Sequence, residues 1–166
     1  MRIARAARTA ARAGIEDSNM AKPVILVLCT GNSARSQMAE GFLRKHHGAR
    51  FEAASAGTDP KPRVHPLAVR AMDEAGVDIS AQRPKDLKRF LNDPNVAHVL
   101  IVCDNANQSC PRSWAGNFTR TFMPFDDPAA ATGTEAEQLA VFRRVRDEID
   151  EAMRNWDPEA EKGGNK

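Results

Sequence analysis

The sequence predicts one α/β domain built on a parallel sheet with helices on both faces, and three features carry that reading. Val24-Ile25-Leu26-Val27-Leu28 is a continuous apolar run of strand length and Ala97 to Cys103, apolar but for His98, is a second, the pattern of strands buried on both sides. Strand-like runs alternate with segments of helical periodicity, as in βα units. Each of the two runs also leads straight to a cysteine, Cys29 or Cys103, at the carboxyl strand ends where such sheets bind ligands.

Taken in order, Val24 to Leu28 is the first strand, and the polar stretch from Cys29 to Ser33 is a loop. Ser36 to Lys45 is a helix with Met38, Phe42 and Leu43 on one face. Phe51 to Ala56 is a second strand, ended by Gly57. The proline-rich stretch from Asp59 to Pro66 leads into a helix carrying Leu67, Val69, Ala71, Met72 and Ala75, which Gly76 closes. A further helix is expected from Lys85 to Leu91 after Pro84, then the strand ending at Cys103, then a polar segment to Trp114. Arg120 to Met123 is a short strand. Thr134 to Trp156 is a long amphipathic helix with Leu139, Val141, Phe142, Val145, Ile149 and Met153 inward. The domain is expected over 21–157, with a disordered basic leader over 1–20 and a disordered tail over 158–166. Trp114 and Trp156 read as packing residues.

The 166 residues suffice for a single core. With 24 basic and 22 acidic side chains, and much of the excess in Arg2, Arg5, Arg8 and Arg12, the charge does not point to nucleic acid. No apolar run is long enough to cross a membrane, and the leader lacks the apolar segment of a secretory signal. Three cysteines, an odd number without such a signal, argue against a fixed disulfide framework and for free thiols in a reducing cytoplasm. A monomer is the default expectation. His46, His47, His65 and His98 show no metal-ligand spacing, so no metal is expected.

The chemistry concentrates in Cys29-Thr30-Gly31-Asn32-Ser33-Ala34-Arg35-Ser36. A glycine-containing loop ahead of a helix can aim backbone N–H groups at a tetrahedral oxyanion, aided by the helix dipole. Arg35 can grip two anion oxygens at once, which a lysine cannot reproduce. The same field favours a Cys29 thiolate, with Ser33 and Ser36 as candidate hydrogen-bond donors to it and Asn32 suited to a left-handed turn. A strand-end cysteine can also be mere packing. The strand before, Gly31 within and the helix after favour a nucleophile.

On these residues the chain resembles the low-molecular-weight protein tyrosine phosphatase superfamily, and CTGNSARSQMAEGF resembles the loop of its thioredoxin-coupled arsenate reductase branch. The likeness covers about Lys22 to Trp156. It implies a four-stranded parallel sheet flanked by helices. It also implies that Asp127, directly before Pro128, is the general acid, with Asp126 the weaker candidate and a helix-capping role the alternative.

Phosphatases of this fold need only the first cysteine, whereas the spacing of Cys103 and Cys110 resembles that of the arsenate reductases. The resemblance implies a relay: Cys29 attacks arsenate, Cys103 resolves the adduct, and Cys110 takes over the disulfide for thioredoxin, the electron donor, to reduce. No bound cofactor is implied. Some relatives bind potassium beside the loop. Asn32, Glu40 and Ser55 fit that site, but Arg83 and Lys85 stand where further ligands would be needed, so potassium is not expected. The rival reading is a phosphotyrosine phosphatase acting through Cys29 alone. Against it, Pro128-Ala129-Ala130 offers no aromatic side chain to hold a phosphotyrosine ring.

Overall fold

Uninterrupted aliphatic residues form β1, Val24–Cys29, with everything from Ile25 to Cys29 buried. In the computed structural model, which describes residues 21–110 and 118–160, β1 is one of the two inner strands of a four-stranded sheet. It pairs in parallel with β2, Glu52–Gly57, in register from Val24 opposite Glu52 to Cys29 opposite Gly57. On its other side it pairs in parallel with β3, Val96–Ile101, which pairs with the edge strand β4, Thr119–Phe122. The order is β2-β1-β3-β4. The chain leaves β1 on one side for β2 and comes back on the other for β3. The strand order therefore reverses beside Cys29, where an open parallel sheet forms its ligand crevice.

Four helices flank this sheet: α1, Arg35–His47; α2, Pro66–Glu74; α3, Asp104–Ser109; and α4, Glu135–Asn155. α4 lays Leu139, Phe142, Val145, Ile149 and Met153 into the core at intervals of three and four residues, the stripe that helical periodicity demands. Each such fully buried side chain contributes roughly 1.5–3 kcal/mol. Thr134 caps α4 by accepting from Glu137 N–H at 3.2 Å, and its hydroxyl donates back to the Glu137 carboxylate at 3.2 Å. α1 packs on α4, and His46 Nε2 meets Asp150 Oδ1 at 2.7 Å across that contact. Gly76 ends α2 as expected. Its φ of 78° lets its N–H reach Asp73 O and the Val77 N–H reach Met72 O.

Two expectations need correcting. The helix over Lys85 to Leu91 is only a 3-10 turn, Leu87–Phe90, because the backbone ahead of it is engaged elsewhere. Lys85 N–H donates to Asn32 Oδ1 at 2.8 Å, and Lys85 O accepts from Gly57 N–H at 2.8 Å. The third strand stops at Ile101, so Cys103 begins α3 rather than ending β3. Beyond α4, 158–160 make a turn on Asp157, with Glu159 N–H bonded to Asp157 Oδ1 at 3.0 Å. Trp156 is buried, as expected of a packing residue. The leader, Trp114 and positions 161–166 lie outside the described residues. Among those described, no helix is long and apolar enough to cross a membrane.

Candidate active site

The loop from Cys29 to Arg35 is shaped from behind by the segment that follows β2. Thr58, Asp59, Lys61 and His65 donate their N–H groups to the carbonyls of Cys29, Thr30, Gly31 and Ser33, at 3.3, 2.9, 2.9 and 2.8 Å. A trans peptide points its N–H away from its own carbonyl, so tying four carbonyls outward turns the following amides the other way. α1 starts without any capping side chain at Ala34, which leaves its first N–H groups open to a ligand.

Asn32 locks the turn. It is fully buried at φ 49°, the left-handed region foreseen for it. Its Oδ1 accepts from Lys85 N–H, and its Nδ2 donates to Ser36 Oγ at 2.8 Å. Gly57 is needed behind the loop, since a Cβ there would lie 2.4 Å from Thr30 O.

The loop walls a cavity of about 430 Å³, lined by Cys29, Thr30, Gly31, Asn32, Ser33, Ala34 and Arg35 together with Asp59, Pro60, Lys61, Pro62, Asn105, Asp127 and Ala129. Arg35 Nη1 donates to Phe125 O at 3.1 Å, and its Nη2 lies 3.7 Å from Asp127 Oδ2. Asp127 accordingly reaches the cavity. It also accepts from Ala129 N–H at 3.0 Å, so the capping and pocket readings describe the same side chain. Asp126 does not line the cavity and pairs with Arg144 at 3.3 Å.

All three cysteines are free and buried. Cys103 lies beside the loop, its Sγ 3.4 Å from Thr30 Oγ1, and its thiol interacts with that of Cys29. The two thiols titrate as a unit. The interaction with Cys29 lowers the Cys103 thiol to about 5, helped by Thr30 and Arg35. The same interaction, with burial, raises Cys29, against the opposing pull of Arg35 and the Thr30 N–H. The field of the loop therefore acts as expected, but it is outweighed at Cys29 by a neighbouring thiol. Ser36, expected as a donor to that sulfur, lies outside the cavity lining and accepts from Asn32.

Cys110 closes the far end of α3, its N–H bonded to Ala106 O at 2.9 Å, and burial raises its thiol. Across a regular helix the two cysteines are separated by about 10 Å of rise, beyond the roughly 7 Å between Cα atoms that a disulfide tolerates.

Sequence reasoning missed Lys61, Asp59, Asn105 and the Phe125 carbonyl. Lys61 and Asp59 sit in a loop at the carboxyl end of β2, a position that could have drawn attention to them. Among the described residues no group of three or more His, Cys, Asp or Glu could hold a metal ion. Around Glu40, the Lys85 ammonium lies 3.8 Å from Oε1 and donates to Arg83 O at 2.8 Å, so a positive charge already sits there and the residues do not fit potassium.

A parallel sheet with a cysteine at the end of an inner strand, an anion loop and an arginine opening the next helix defines a phosphatase-type scaffold. Residues 24–165 match the family of the low molecular weight phosphotyrosine protein phosphatases, and the chain belongs to it. Within it the chain stands with the arsenate reductases. It is 44% identical over 141 residues to the arsenate reductase of Bacillus licheniformis, covering 82% of this chain and 96% of that protein. It is 41% identical over 138 residues to the arsenate reductase of Bacillus subtilis, with the same coverage. A solved structure of an arsenate reductase in a phosphate-binding state superposes with a TM-score of 0.63 at 31% identity, over 80% of this chain and 95% of that one.

Proposed function

We propose that the protein reduces arsenate to arsenite through Cys29, Cys103 and Cys110 in turn. The observation that carries the reading is the placement of a second thiol at the anion loop, Cys103 Sγ 3.4 Å from Thr30 Oγ1 and titrating together with Cys29. A phosphatase needs one thiol there, and a thiol relay needs two within reach of each other.

Arsenate enters the loop and is held by backbone N–H groups and Arg35. The Cys29 thiolate forms a bond to arsenic, an As–O bond breaks, and the departing hydroxyl takes a proton from Asp127 and leaves as water. As Cys29 attacks, the proton it shared passes to Cys103. Cys103 next attacks Cys29 Sγ and gives that proton to an oxygen of the departing arsenite. The S–As bond breaks with its electron pair left on arsenic, so arsenic(V) becomes arsenic(III) and departs as arsenite. A Cys29–Cys103 disulfide remains.

Cys110 then attacks Cys103 Sγ and expels the Cys29 thiolate. This step needs α3 to unwind, and the exposed solvation of an unwound segment removes the burial that holds the Cys110 thiol up. Thioredoxin supplies two thiols to reduce the Cys103–Cys110 disulfide. A cycle that begins and ends with free thiols belongs in the reducing cytoplasm, and a monomer suffices for it.

The test is arsenate-dependent NADPH oxidation with thioredoxin and thioredoxin reductase supplied, for wild type and for Cys29→Ser, Cys103→Ser and Cys110→Ser. Sustained turnover in wild type, lost in each variant, is the expected result. Hydrolysis of an aryl phosphate through Cys29 alone, with no arsenate turnover, would refute the relay.

A further inference from the structure

We propose that Lys61 is an anion-binding residue of this site, the second cation that makes the cavity select doubly charged tetrahedral oxyanions. The inference deepens the reading above by naming what holds the substrate's second charge.

Arg35 alone is poorly matched to a dianion. Its guanidinium is already directed to the Phe125 carbonyl at 3.1 Å and lies 3.7 Å from the Asp127 carboxylate. A second carboxylate, Asp59, also lines the cavity, and the Cys29–Cys103 pair carries a thiolate. At pH 8 arsenate and phosphate are largely dianions. Such an anion would meet the Asp59 carboxylate and sulfur charge with a single, partly engaged arginine, unless another cation takes part.

Among the described lining residues, the other cation is Lys61. Its placement is built rather than incidental. Its N–H is bonded to Gly31 O at 2.9 Å, which fixes its backbone to the loop itself. Its neighbours are Pro60 and Pro62, whose rings hold φ and limit the backbone on both sides. Its alkyl stem lies across Gly31, since a Cβ on that glycine would meet Lys61 Cγ, Cε and Cδ at 3.2, 3.2 and 3.3 Å. The absence of a side chain at Gly31 therefore gives the lysine stem its seat, and the ammonium at the end of that stem belongs to the cavity wall. Its charge is felt inside the fold as well, where it helps lower the His65 imidazole after the larger effect of burial.

Lysine suits this task differently from Arg35. An ammonium is a mobile point charge without a fixed fork, so it can follow the anion without dictating its orientation. Its contribution depends on ligand charge, whereas the backbone amides of the loop serve any tetrahedral anion. A residue of this kind sets affinity, not the chemical step.

The test uses reduced full-length protein at pH 8 and titration calorimetry with inorganic phosphate, there a dianion, and perchlorate, a tetrahedral monoanion, for wild type, Lys61→Met and Lys61→Arg. Lys61→Met is expected to weaken phosphate by about tenfold while changing perchlorate by less than about threefold, and Lys61→Arg to restore most of the loss. KM for arsenate should rise in step with kcat held. Unchanged phosphate affinity in Lys61→Met overturns the proposal. So does an equal loss of both anions, which would mean that the loop had been distorted. Phosphate binding requires no thiol transfer, so a failed relay leaves this measurement readable, and a failed Lys61 test leaves the relay standing.

Discussion

The two cysteine-bearing segments at the carboxyl edge of the sheet are built in opposite ways. From Cys29 to Arg35 the chain is held from behind by four backbone hydrogen bonds, by the buried Asn32 side chain and by the close approach of Gly57. From Cys103 to Cys110 it is a six-residue helix with no side-chain cap, and Ala106 is its one buried helical residue. The other helical positions, Asp104, Asn105, Asn107, Gln108 and Ser109, are exposed and include several poor helix formers. Short helices are marginal without tertiary packing. A rigid loop suits the binding of one anion shape, while a weakly held helix suits a step in which two distant thiols must meet. Positional fidelity and freedom to unwind are separated along the chain, though they face the same cavity.

The strongest way to break this contrast is to loosen the rigid half. Asn32→Ala removes the acceptor of Lys85 N–H and the donor to Ser36, and puts an alanine in a left-handed conformation. A stability loss of about 3 kcal/mol is expected, measured by urea unfolding, together with a weakened grip on phosphate. A loss below about 1 kcal/mol would mean that the outward backbone bonds hold the loop without it.

Next comes the thiol pair joining the two halves. With the Cys103 thiol lowered to about 5 by its interaction with Cys29, one thiolate is present at neutral pH and is protonated as pH falls through that value. Alkylation of the pair by iodoacetamide should therefore drop about tenfold per pH unit below the midpoint. In Cys29→Ala the midpoint should move up towards the ordinary thiol value of about 8.5. A wild-type midpoint already at that value would mean that the sulfurs do not share a proton in solution.

The smallest effect sharpens the other half. Asn107→Ala combined with Gln108→Ala strengthens α3 by roughly 1 kcal/mol through propensity alone, at two exposed positions. If unwinding limits the transfer to Cys110, the single-turnover rate of Cys103–Cys110 disulfide formation should fall about fivefold, with phosphate affinity unchanged. An unaltered rate would place the limiting step elsewhere.

Much of this was legible in the sequence. The apolar runs before Cys29 and Cys103 became neighbouring strands, and the stripe from Leu139 to Met153 became the inner face of α4. The spacing of Cys29 and Arg35 around Gly31 indicated an anion loop before any contact was known. Lys85 to Leu91 misled, because a helix-compatible sequence carries no sign that its first peptide will be claimed by Asn32 and Gly57 from other elements. Lys61 went unnoticed for the same reason, since its seat on Gly31 joins residues far apart in the chain.

By itself, the sequence determined most of the elements and the loop that carries the first cysteine, because periodicity, turn chemistry and loop motifs are properties of neighbours along the chain. Only the tertiary structure decided that Cys103 meets Cys29, that Asp127 faces Arg35 and that Cys29 is raised rather than lowered. Those outcomes depend on the order β2-β1-β3-β4, which brings the ends of β1 and β3 side by side. Hydrogen bonds and electrostatic fields act through such distances in space, which local pattern does not record.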